Sequence, residues 1–524
     1  MKYIELFAGC GGLSLGLESV GFELHCANEL SPMAAQTFAY NLLAEDLKNS
    51  EAVRNTYWIS SQFARSEVHQ RLRENPNQAV GFEEGKYTDL NNLTRMQINR
   101  SLLVGSITDL NNFLERDKKL KRLLASSSSG ARIDLLSGGP PCQSFSLAGL
   151  RQVSNERNLL PWEFAKFARS VKPKIVLLEN VSGILRPFKV QERKYYAWFE
   201  VAKAFAQVGY IPICLHINAK YVGVAQNRPR FVLLGVAADI FSKCKNKSWF
   251  KELAEEMDHF HKFYDRVKNG EDLEYGELEY LDIEKQPKLF NKQLLSHLKT
   301  VDQANFTTVK DAIDDLRKSK LKESDYVKSL NGKFHNPHGL TCNKHNNHEL
   351  RLNKNLVKAR FRLYQVLNKM QLKESKEIGK YLKTAGESRI SREAINSLAR
   401  CWLLDTSGEK IGNPTEKEIL ALLGKLHTKK QTQRALVSHK PAPAALSIPD
   451  DACHYHETIE SQRTLTVREM ARIQSFPDWF EIKSKVTTGG SMRKYEVPQY
   501  TQIGNAVPPL LGIALGKVVK LWVS

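Results

Sequence analysis

The chain has 524 residues, more than one domain usually holds, so we expect two domains or one domain with a large insertion. Its 77 Lys and Arg against 57 Asp and Glu give a formal charge of +20, which favours a polyanionic partner such as nucleic acid over an acidic or neutral small substrate. The eight cysteines lack paired short spacings, which argues against a disulfide framework. The start MKYIELFAGCGG reaches Glu5 and glycines before any long apolar stretch, so we expect neither a secretory signal nor a membrane span, and a cytosolic protein.

The first 30 residues alternate between strand and helix patterns. YIELFAG is a short apolar strand that runs into glycines, LSLGLESVG has helical spacing ended by Gly21, and ELHCANEL is a second strand that ends on Glu29. This order predicts a βαβ unit. The polar, weakly patterned segment from Ala44 to Asp109 is interpreted as helices or loops inserted between early strands.

Further strand-like runs follow, with helical stretches such as WEFAKFARSV between several of them. The runs are RIDLLSGG, KIVLLENV, YIPICLHINA and RFVLLGVA. They predict an α/β fold with a mostly parallel sheet covered on both faces. From 238 to 462 the alternation gives way to Lys-rich and Glu-rich stretches, which predict a separate basic domain. RTLTVREMARIQSFPDWF then predicts an amphipathic helix capped near Thr464 or Thr466, with Arg468 and Glu469 in buried polar links.

The first strand ends carry residues typical of a nucleotide site, because ligands bind outside the carboxyl ends of the strands in open α/β sheets. In FAGCGG, three glycines, Gly9, Gly11 and Gly12, allow close backbone approach and free N–H groups at a helix start. The turn is not a full GxGxxG, because Ser14 stands at the last glycine position. Glu29, 20 residues after Gly9, can accept hydrogen bonds from both hydroxyls of a ribose. The pair predicts a nucleoside cofactor; the alternative is a structural turn with a surface glutamate.

A thiol and a carboxyl follow two later strands. Cys142 lies in SGGPPCQSFSLAG after two prolines, which fix φ and lack an N–H donor, so we expect a displayed thiol. Glu179 ends KIVLLEN, and a parallel sheet would bring both side chains to one edge. Arg228 and Arg230 in QNRPRF supply positive charge, which favours the reactive thiolate. The alternatives are an inert turn thiol and a carboxylate satisfied at a strand end.

The motif series as a whole resembles the cytosine-5 DNA methyltransferases. The matching motifs, in order, are ELFAGCGGLSLGLESVGF, NE, GGPPCQSFSLAG, ENVSGIL, QNRPRFVLLG, LTVREMARIQSFP and QIGNAVPP. They cover about 1–235 and 462–524. The resemblance implies a Rossmann-like S-adenosylmethionine-dependent methyltransferase domain at 1–237 and a smaller inserted target recognition domain at 238–462. Residues 463–524 would form a segment that returns to the first domain.

The resemblance also implies a reaction and the residues that carry it. Cys142 would add to carbon 6 of cytosine, which makes carbon 5 able to attack the sulfonium methyl of S-adenosylmethionine. Glu179 would be the acid near ring nitrogen 3. Arg228 and Arg230 would hold the base carbonyl and a nearby phosphate.

For S-adenosylmethionine, the resemblance places Phe7 against the adenine, Glu29 on the ribose, and Asn505 and Ala506 as closing residues. Gly9, Gly11 and Gly12 would lie near the methionine portion, and the remaining cofactor-side candidates are Leu30, Ile107 and Pro141. The family's usual GDI is GSI here, with Ser106 in place of the Asp that contacts the adenine amino group. Asp109 is the alternative contact.

The resemblance implies a monomer that binds double-stranded DNA, flips the target cytosine out of the stack and needs no metal. It also implies a bacterial or phage enzyme of the cytoplasm, associated with the nucleoid through DNA. The enzyme would either share its site with a cognate restriction endonuclease, without a stable complex, or be a solitary methylase. The cluster HNPHGLTCNKHNNHELR is interpreted as a polar loop of the recognition domain rather than a zinc site. Two rivals are a tRNA cytosine methyltransferase, against which the large variable domain argues, and a catalytically silent DNA-binding module, which would lack Cys142 or Glu179.

Overall fold

The computed structural model describes residues 1–49, 53–77, 86–127, 129–141, 159–190, 193–317, 321–384, 387–430, 432–444, 452–489, 492 and 495–524. The described strands are β1 (Lys2–Leu6), β2 (Glu23–Glu29), β3 (Thr56–Trp58), β4 (Ser101–Val104), β5 (Leu135–Gly138), β6 (Ile175–Val181), β7 (Phe188–Val190), β8 (Arg193–Tyr195), β9 (Tyr210–Asn218), β10 (Gln226–Asn227), β11 (Pro229–Ala237), β12 (Leu281–Asp282), β13 (Leu403–Leu404), β14 (Lys410–Ile411), β15 (Arg434–Ala435), β16 (Ala442–Pro443) and β17 (Ala452–Cys453).

The described α-helices lie between and after these strands. They are α1 (Gly12–Glu18), α2 (Pro32–Phe38), α3 (Val68–Arg71), α4 (Arg95–Ile98), α5 (Ile107–Arg116), α6 (Lys118–Ala125), α7 (Leu160–Val171), α8 (Ala197–Gln207), α9 (Ala238–Cys244), α10 (Ser248–Lys251), α11 (Ala254–Lys268), α12 (Gln293–Ser296), α13 (Val309–Ile313), α14 (Asp325–Lys333), α15 (Asn355–Leu367), α16 (Leu372–Lys383), α17 (Arg392–Ala399), α18 (Glu416–Lys425), α19 (Val467–Ile473), α20 (Gln499–Asn505) and α21 (Pro509–Val523).

Nine of the described strands form one sheet in the order β12-β9-β11-β6-β5-β1-β2-β4-β3. The strands from β6 to β3 in this order run parallel, and their side chains are almost all buried, as expected for a sheet covered on both faces. β11 is antiparallel to both β6 and β9, because a short connection joins β9 to β11 as a hairpin. The predicted α/β fold with a mostly parallel sheet is confirmed.

The interpretation of residues 44–109 as helices and loops was wrong in part. This segment also supplies β3 and β4, which form one edge of the sheet. The two strands have three and four residues, too few for a clear alternation pattern.

The hydrophobic core of the sheet extends beyond residue 237. Side chains from 240 to 334 pack in the same cluster as the sheet, and β12 pairs with β9. A second cluster joins buried residues between Ala359 and Leu426, from α15, α16, α17, α18 and the β13–β14 hairpin. Helix α15 also packs outside this second cluster, since Phe361 lies with Ala435 and Cys453 in a third one. The division at 237/238 and 462/463 stays a prediction.

The C-terminal helices pack on the start of the chain. A Cβ on Gly16 of α1 would lie 2.7 Å from Gly512 of α21, so the absence of side chains there lets the two helices touch. Within the described residues, the stretch Gln499–Val523 is long and apolar enough to cross a membrane by length and composition. Its most apolar window is 72% buried inside the fold, as expected of a core helix.

Helix α19 confirms the predicted cap. Thr466 accepts a hydrogen bond from the backbone of Glu469, and the Glu469 side chain accepts one from the backbone of Thr466. Arg468 and Glu469 are fully buried, as predicted. Arg463 donates two hydrogen bonds to Glu469, at 2.8 and 2.7 Å.

Candidate active site

Four parallel strands bring the candidate residues to one edge of the sheet. β6, β5, β1 and β2 are neighbours, and their paired carboxyl ends include Gly138 opposite Leu6 and Leu6 opposite Asn28. Phe7, Glu29, the Gly139–Pro141 turn and Glu179 therefore lie along a single edge. This is the placement that the sequence predicts for a ligand cleft.

The glycine turn holds the carboxylate of Glu29. The backbone N–H groups of Gly9 and Ser31 each donate a hydrogen bond to it, both at 2.8 Å. Burial raises the pKa of Glu29, and these two donors, with the N–H of Leu30, act in the opposite direction. The carboxylate is thereby fixed in orientation next to the turn.

Open space lies beside only one of the three predicted glycines. A Cβ on Gly9, whose φ is +56°, would meet no described atom within 4 Å. Gly11 and Gly12 are packed, because a Cβ there would lie 2.6 Å from Leu42 and 2.3 Å from the carbonyl oxygen of Val507. The open side of Gly9, next to the fixed carboxylate of Glu29, fits a nucleoside with ribose hydroxyls.

Phe7 and a cleft beyond β2 extend this region. The Phe7 ring is half-buried and stacks on Phe164, with 6.3 Å between centroids. The cleft is small, with a volume of about 10 Å³. Residues from the ends of β2, β3 and β4 line it together with Glu74 and Pro76; they include Leu30, Trp58, Ser60, Val104, Gly105 and Ser106. Ile107 follows Ser106 and begins α5 as a buried residue.

Three details of this cleft were not predicted. Trp58 and Ser60 line it from the end of β3, a strand that the sequence pattern did not reveal. Ser106, the residue in place of the family's Asp, caps α5 by accepting a hydrogen bond from the N–H of Thr108. Asp109 is buried in the first turn of the same helix.

Glu179 and Arg230 form the charged centre of the other half of the edge. Arg230 Nε lies 2.5 Å from Glu179 Oε1, and both side chains are less than 10% exposed. Arg230 lies opposite Val181 on β6, two residues along from Glu179. The antiparallel register between β11 and β6 therefore brings Arg230 and Glu179 together. Burial lowers the pKa of Arg230, and the charge of Glu179 opposes this change.

The turn that leads to Cys142 lies against Glu179. A Cβ on Gly139 would lie 3.0 Å from Glu179 Oε2, and Asn180 Nδ2 donates to the carbonyl oxygen of Pro140 at 3.2 Å. Pro141 follows as an exposed residue. Cys142 lies outside the described residues; of the residues just before it, Gly139 and Pro140 lie beside Glu179.

Arg228 has other contacts than those predicted for it. Its Nη2 donates to the carbonyl oxygens of Gly504 and Ala506, both at 2.9 Å, and the residue is 1% exposed. Asn505, between these two carbonyls, is exposed at the end of α20. The predicted contact of Arg228 with a base or phosphate therefore has no open surface in this conformation.

The histidine-rich segment makes protein contacts. His348 bonds to Thr466 Oγ1 at 2.9 Å and to the carbonyl oxygen of Leu316 at 3.1 Å. In the described part of the chain, no group of three or more His, Cys, Asp or Glu side chains is placed to hold a metal ion.

The chain matches known proteins over most of its length. The family model of C-5 cytosine-specific DNA methylases matches residues 1–65 and 111–521. The type II methyltransferase M.DdeI of Desulfomicrobium norvegicum is 26% identical over 531 residues, which cover 100% of this chain and 89% of the relative. The type II methyltransferase M.Bpa9945I of Bacillus paralicheniformis is 25% identical over 543 residues, which cover 99% of this chain and 98% of that relative.

Among solved structures, the S. pombe Dnmt2 methyltransferase aligns over 99% of this chain and 98% of its own, with a TM-score of 0.40 and 12% identity, a likeness too low to weigh on fold or function. The family match spans most of the chain and includes the strands β1, β2, β5, β6 and β11. This protein therefore belongs to the C-5 cytosine-specific DNA methylases, the S-adenosylmethionine-dependent enzymes that methylate cytosine in DNA.

Proposed function

We propose that this protein flips a cytosine out of a specific duplex site and methylates its carbon 5 through a covalent adduct between Cys142 and carbon 6. The observation that carries the proposal is the ion pair of Glu179 with Arg230 beside the Gly139–Pro141 turn. This ion pair lies on the same sheet edge as the glycine turn and Glu29, so a pyrimidine and a nucleoside cofactor can bind side by side.

The covalent step answers a chemical problem, since carbon 5 of cytosine is a poor nucleophile. The Cys142 thiolate forms a bond to carbon 6, and the ring electron pair is taken up as ring nitrogen 3 gains a proton. Glu179, which is ionised in its pair with Arg230, takes up this proton from solvent as the base binds and passes it to the ring. Carbon 5 is then enamine-like. Bound S-adenosylmethionine supplies the electrophilic methyl group that carbon 5 attacks. A base then removes the carbon 5 proton, the re-formed 5,6 double bond expels the thiolate, and ring nitrogen 3 returns its proton to Glu179.

Glu179 and Arg230 have separate tasks in this scheme. Arg230 holds the Glu179 carboxyl group in place and presents a guanidinium donor for the carbonyl oxygen of the base. Because both side chains are almost fully buried, their interaction with developing charge is little screened by water.

S-adenosylmethionine fits the first half of the edge. Glu29 would accept hydrogen bonds from the ribose, Phe7 would lie against the adenine, and Gly9 would give the methionine portion backbone access. Asn505 and Ala506 would close the pocket from the C-terminal segment. Leu30, Ile107 and Pro141 complete the cofactor-side set.

DNA binding is assigned to the inserted segment 238–462 as the target recognition domain. Within it, α16 carries four exposed lysines at helical spacings of three and four residues, which place them on one face: Lys373, Lys376, Lys380 and Lys383. A row of exposed ammonium groups suits the phosphates of a duplex. We assign this face to the DNA backbone.

The relatives named as type II methyltransferases favour a role in a restriction-modification system. We propose a monomeric, cytoplasmic enzyme, associated with the nucleoid through DNA, that protects host DNA from a cognate endonuclease acting on the same site.

Bisulfite sequencing of plasmid DNA from cells that make the protein tests the proposal. We expect one short sequence in which a single cytosine resists conversion, with plasmid from cells making Cys142→Ala as the matched control. Complete conversion in both samples would refute the proposed function.

A further inference from the structure

We infer that Arg228 is a positioning residue that fixes the turn 504–507 on the cofactor side, and that it does not contact DNA. The inference rests on the proposed function, since it assigns this turn to the S-adenosylmethionine pocket. Arg228 is 1% exposed, and no described carboxylate forms an ion pair with it. Burial lowers the pKa of Arg228, and the nearby charge of Arg230 adds to this change.

The first support comes from the end of α20. The last carbonyl groups of a helix have no partner within the helix and carry partial negative charge, so a cation there is favourable. Arg228 donates to the carbonyl oxygens of Gly504 and Ala506, while Gln474 donates to that of Ile503 at 2.6 Å. The carbonyl groups on both sides of Asn505 are thus held by one guanidinium.

The second support comes from the opposite side of the turn. A Cβ on Gly12 would lie 2.3 Å from the carbonyl oxygen of Val507, so the glycine turn of the cofactor site touches this segment directly. The turn is therefore enclosed between Gly12 and Arg228. Asn505 is the exposed residue at its centre.

The third support is the way in which Arg228 itself is held. Its backbone N–H donates to Asn218 Oδ1 at 3.0 Å, and Asn218 is 4% exposed at the end of β9. Two residues further along the chain, Arg230 pairs with Glu179. QNRPR therefore links the two halves of the site: Arg230 serves the target base, and Arg228 sets the turn that closes the methyl-donor pocket.

Binding measurements on the full-length protein test this inference. For Arg228→Lys we expect the Kd of S-adenosylmethionine and of S-adenosylhomocysteine, measured by calorimetry, to rise at least tenfold. The Kd of duplex DNA should stay within twofold. In the ligand-free protein, amide hydrogen exchange at residues 504–507 should speed up. The matched control is Arg230→Lys. It should keep the cofactor affinity and the amide exchange rates of the unmodified protein, but it should lose the covalent adduct with 5-fluorocytosine duplex.

A double-mutant cycle with Asn505→Ala tests whether Arg228 acts through the turn. If it does, the double variant binds S-adenosylhomocysteine no more weakly than Asn505→Ala alone. If Arg228→Lys fails to fold, Gln474→Met removes the neighbouring donor to Ile503 and should raise the same Kd and the same exchange rates.

Unchanged cofactor affinity with weakened DNA binding in Arg228→Lys would overturn the inference, and so would unchanged affinity and exchange in Gln474→Met. Failure of the proposed function would appear elsewhere, as absence of methylation by the unmodified protein.

Discussion

Glu179 and Arg230 form an ion pair across two antiparallel strands, with Arg230 Nε 2.5 Å from Glu179 Oε1. If Glu179 is the proton donor, Glu179→Gln keeps the shape of the side chain and removes the acid. We expect kcat to fall about 100- to 10,000-fold, the range for loss of a general acid, with little change in DNA affinity. Single-turnover methylation with saturating DNA measures the effect.

Arg230→Met separates the structural part of this pair from the chemical part. Removing one partner leaves Glu179 buried without its cation, so the free energy of unfolding should fall by about 3–5 kcal/mol. Glu179→Gln leaves the Arg230 guanidinium without its anion, but the amide oxygen can still accept a hydrogen bond from it, so this variant should cost less stability. Equal losses of stability in the two variants would contradict the assigned buried ion pair.

Cys142 is expected to form the covalent bond to the base. Cys142→Ala should abolish methylation and still bind duplex DNA, since the thiol is needed for chemistry and not for phosphate contacts. With 5-fluorocytosine in the target site the thiol cannot be expelled, so the unmodified protein should give an adduct that resists denaturation. Mass spectrometry of the digested adduct should find it on Cys142, and an active Cys142→Ala variant would refute the role.

The lysine face of α16 predicts a salt effect. Replacing its four lysines by Gln should weaken DNA binding at low salt and flatten the dependence of log K on log salt by about 2 to 4, since each neutralised phosphate contributes about 0.9. The four positions are Lys373, Lys376, Lys380 and Lys383. Fluorescence anisotropy with a labelled duplex at several salt concentrations measures the slope.

A matched set of lysines lies at the far edge of the sheet. These lysines belong to segment 238–462, but they follow the end of β11 that pairs with the start of β6, away from the candidate site, so we do not assign them to DNA: Lys243, Lys245, Lys247 and Lys251. Changing these four to Gln alters the net charge equally. If both quadruple variants flatten the slope alike, the effect comes from total charge and α16 is not a DNA-binding face.

The sequence predicted the parts of the fold that depend on local patterns. Strands β1, β2, β5 and β6 were visible as apolar runs, and the cap of α19 as Thr466 followed by Glu469. Because parallel strands align their carboxyl ends, these runs predicted that the residues at their ends, which include Glu29 and Glu179, lie along one edge of the sheet.

Contacts between distant parts of the chain could not be predicted in this way. Arg228 binds carbonyl groups 276 and 278 residues away, and no local pattern records that pairing. Trp58 reaches the cleft from a three-residue strand that carries no periodicity. The family motif marks Arg228 as functional, but only the fold shows which side of the site it faces.

Gly9 and Gly12 should respond differently to an added methyl group. Gly12→Ala places a Cβ 2.3 Å from the carbonyl oxygen of Val507, so the C-terminal turn must shift and the free energy of unfolding should fall by about 1–3 kcal/mol. Gly9→Ala meets open space, yet it strains a residue at φ +56° and fills space proposed for the bound cofactor. For Gly9→Ala, the loss of free energy of S-adenosylhomocysteine binding, measured by calorimetry, should therefore exceed the loss of free energy of unfolding. A larger loss of unfolding free energy would contradict the open space assigned beside Gly9.

His454 predicts a pH dependence of stability. It is fully buried, and burial lowers its pKa to about 4, even though Glu469 Oε1 lies 3.8 Å from its Nε2. The unfolded chain takes up a proton at this histidine below about pH 6.5, whereas the folded protein resists it until about pH 4. The unfolded state therefore binds more protons across this window, and the free energy of unfolding falls as the pH falls, by roughly 3 kcal/mol in total from this group.

The variant His454→Gln isolates this contribution. An amide keeps an acceptor for the backbone N–H of His456, which bonds to His454 Nδ1 at 3.0 Å, and it does not titrate. Burial raises the pKa of Glu469, but Arg463 outweighs it and holds that pKa at about 2, so Glu469 loses its stabilising charge only at lower pH. Urea unfolding between pH 4.5 and 7 should therefore show a shallower loss of stability in His454→Gln than in the unmodified protein. If the free energy of unfolding falls with pH equally in both proteins, the buried histidine does not cause the loss of stability in acid.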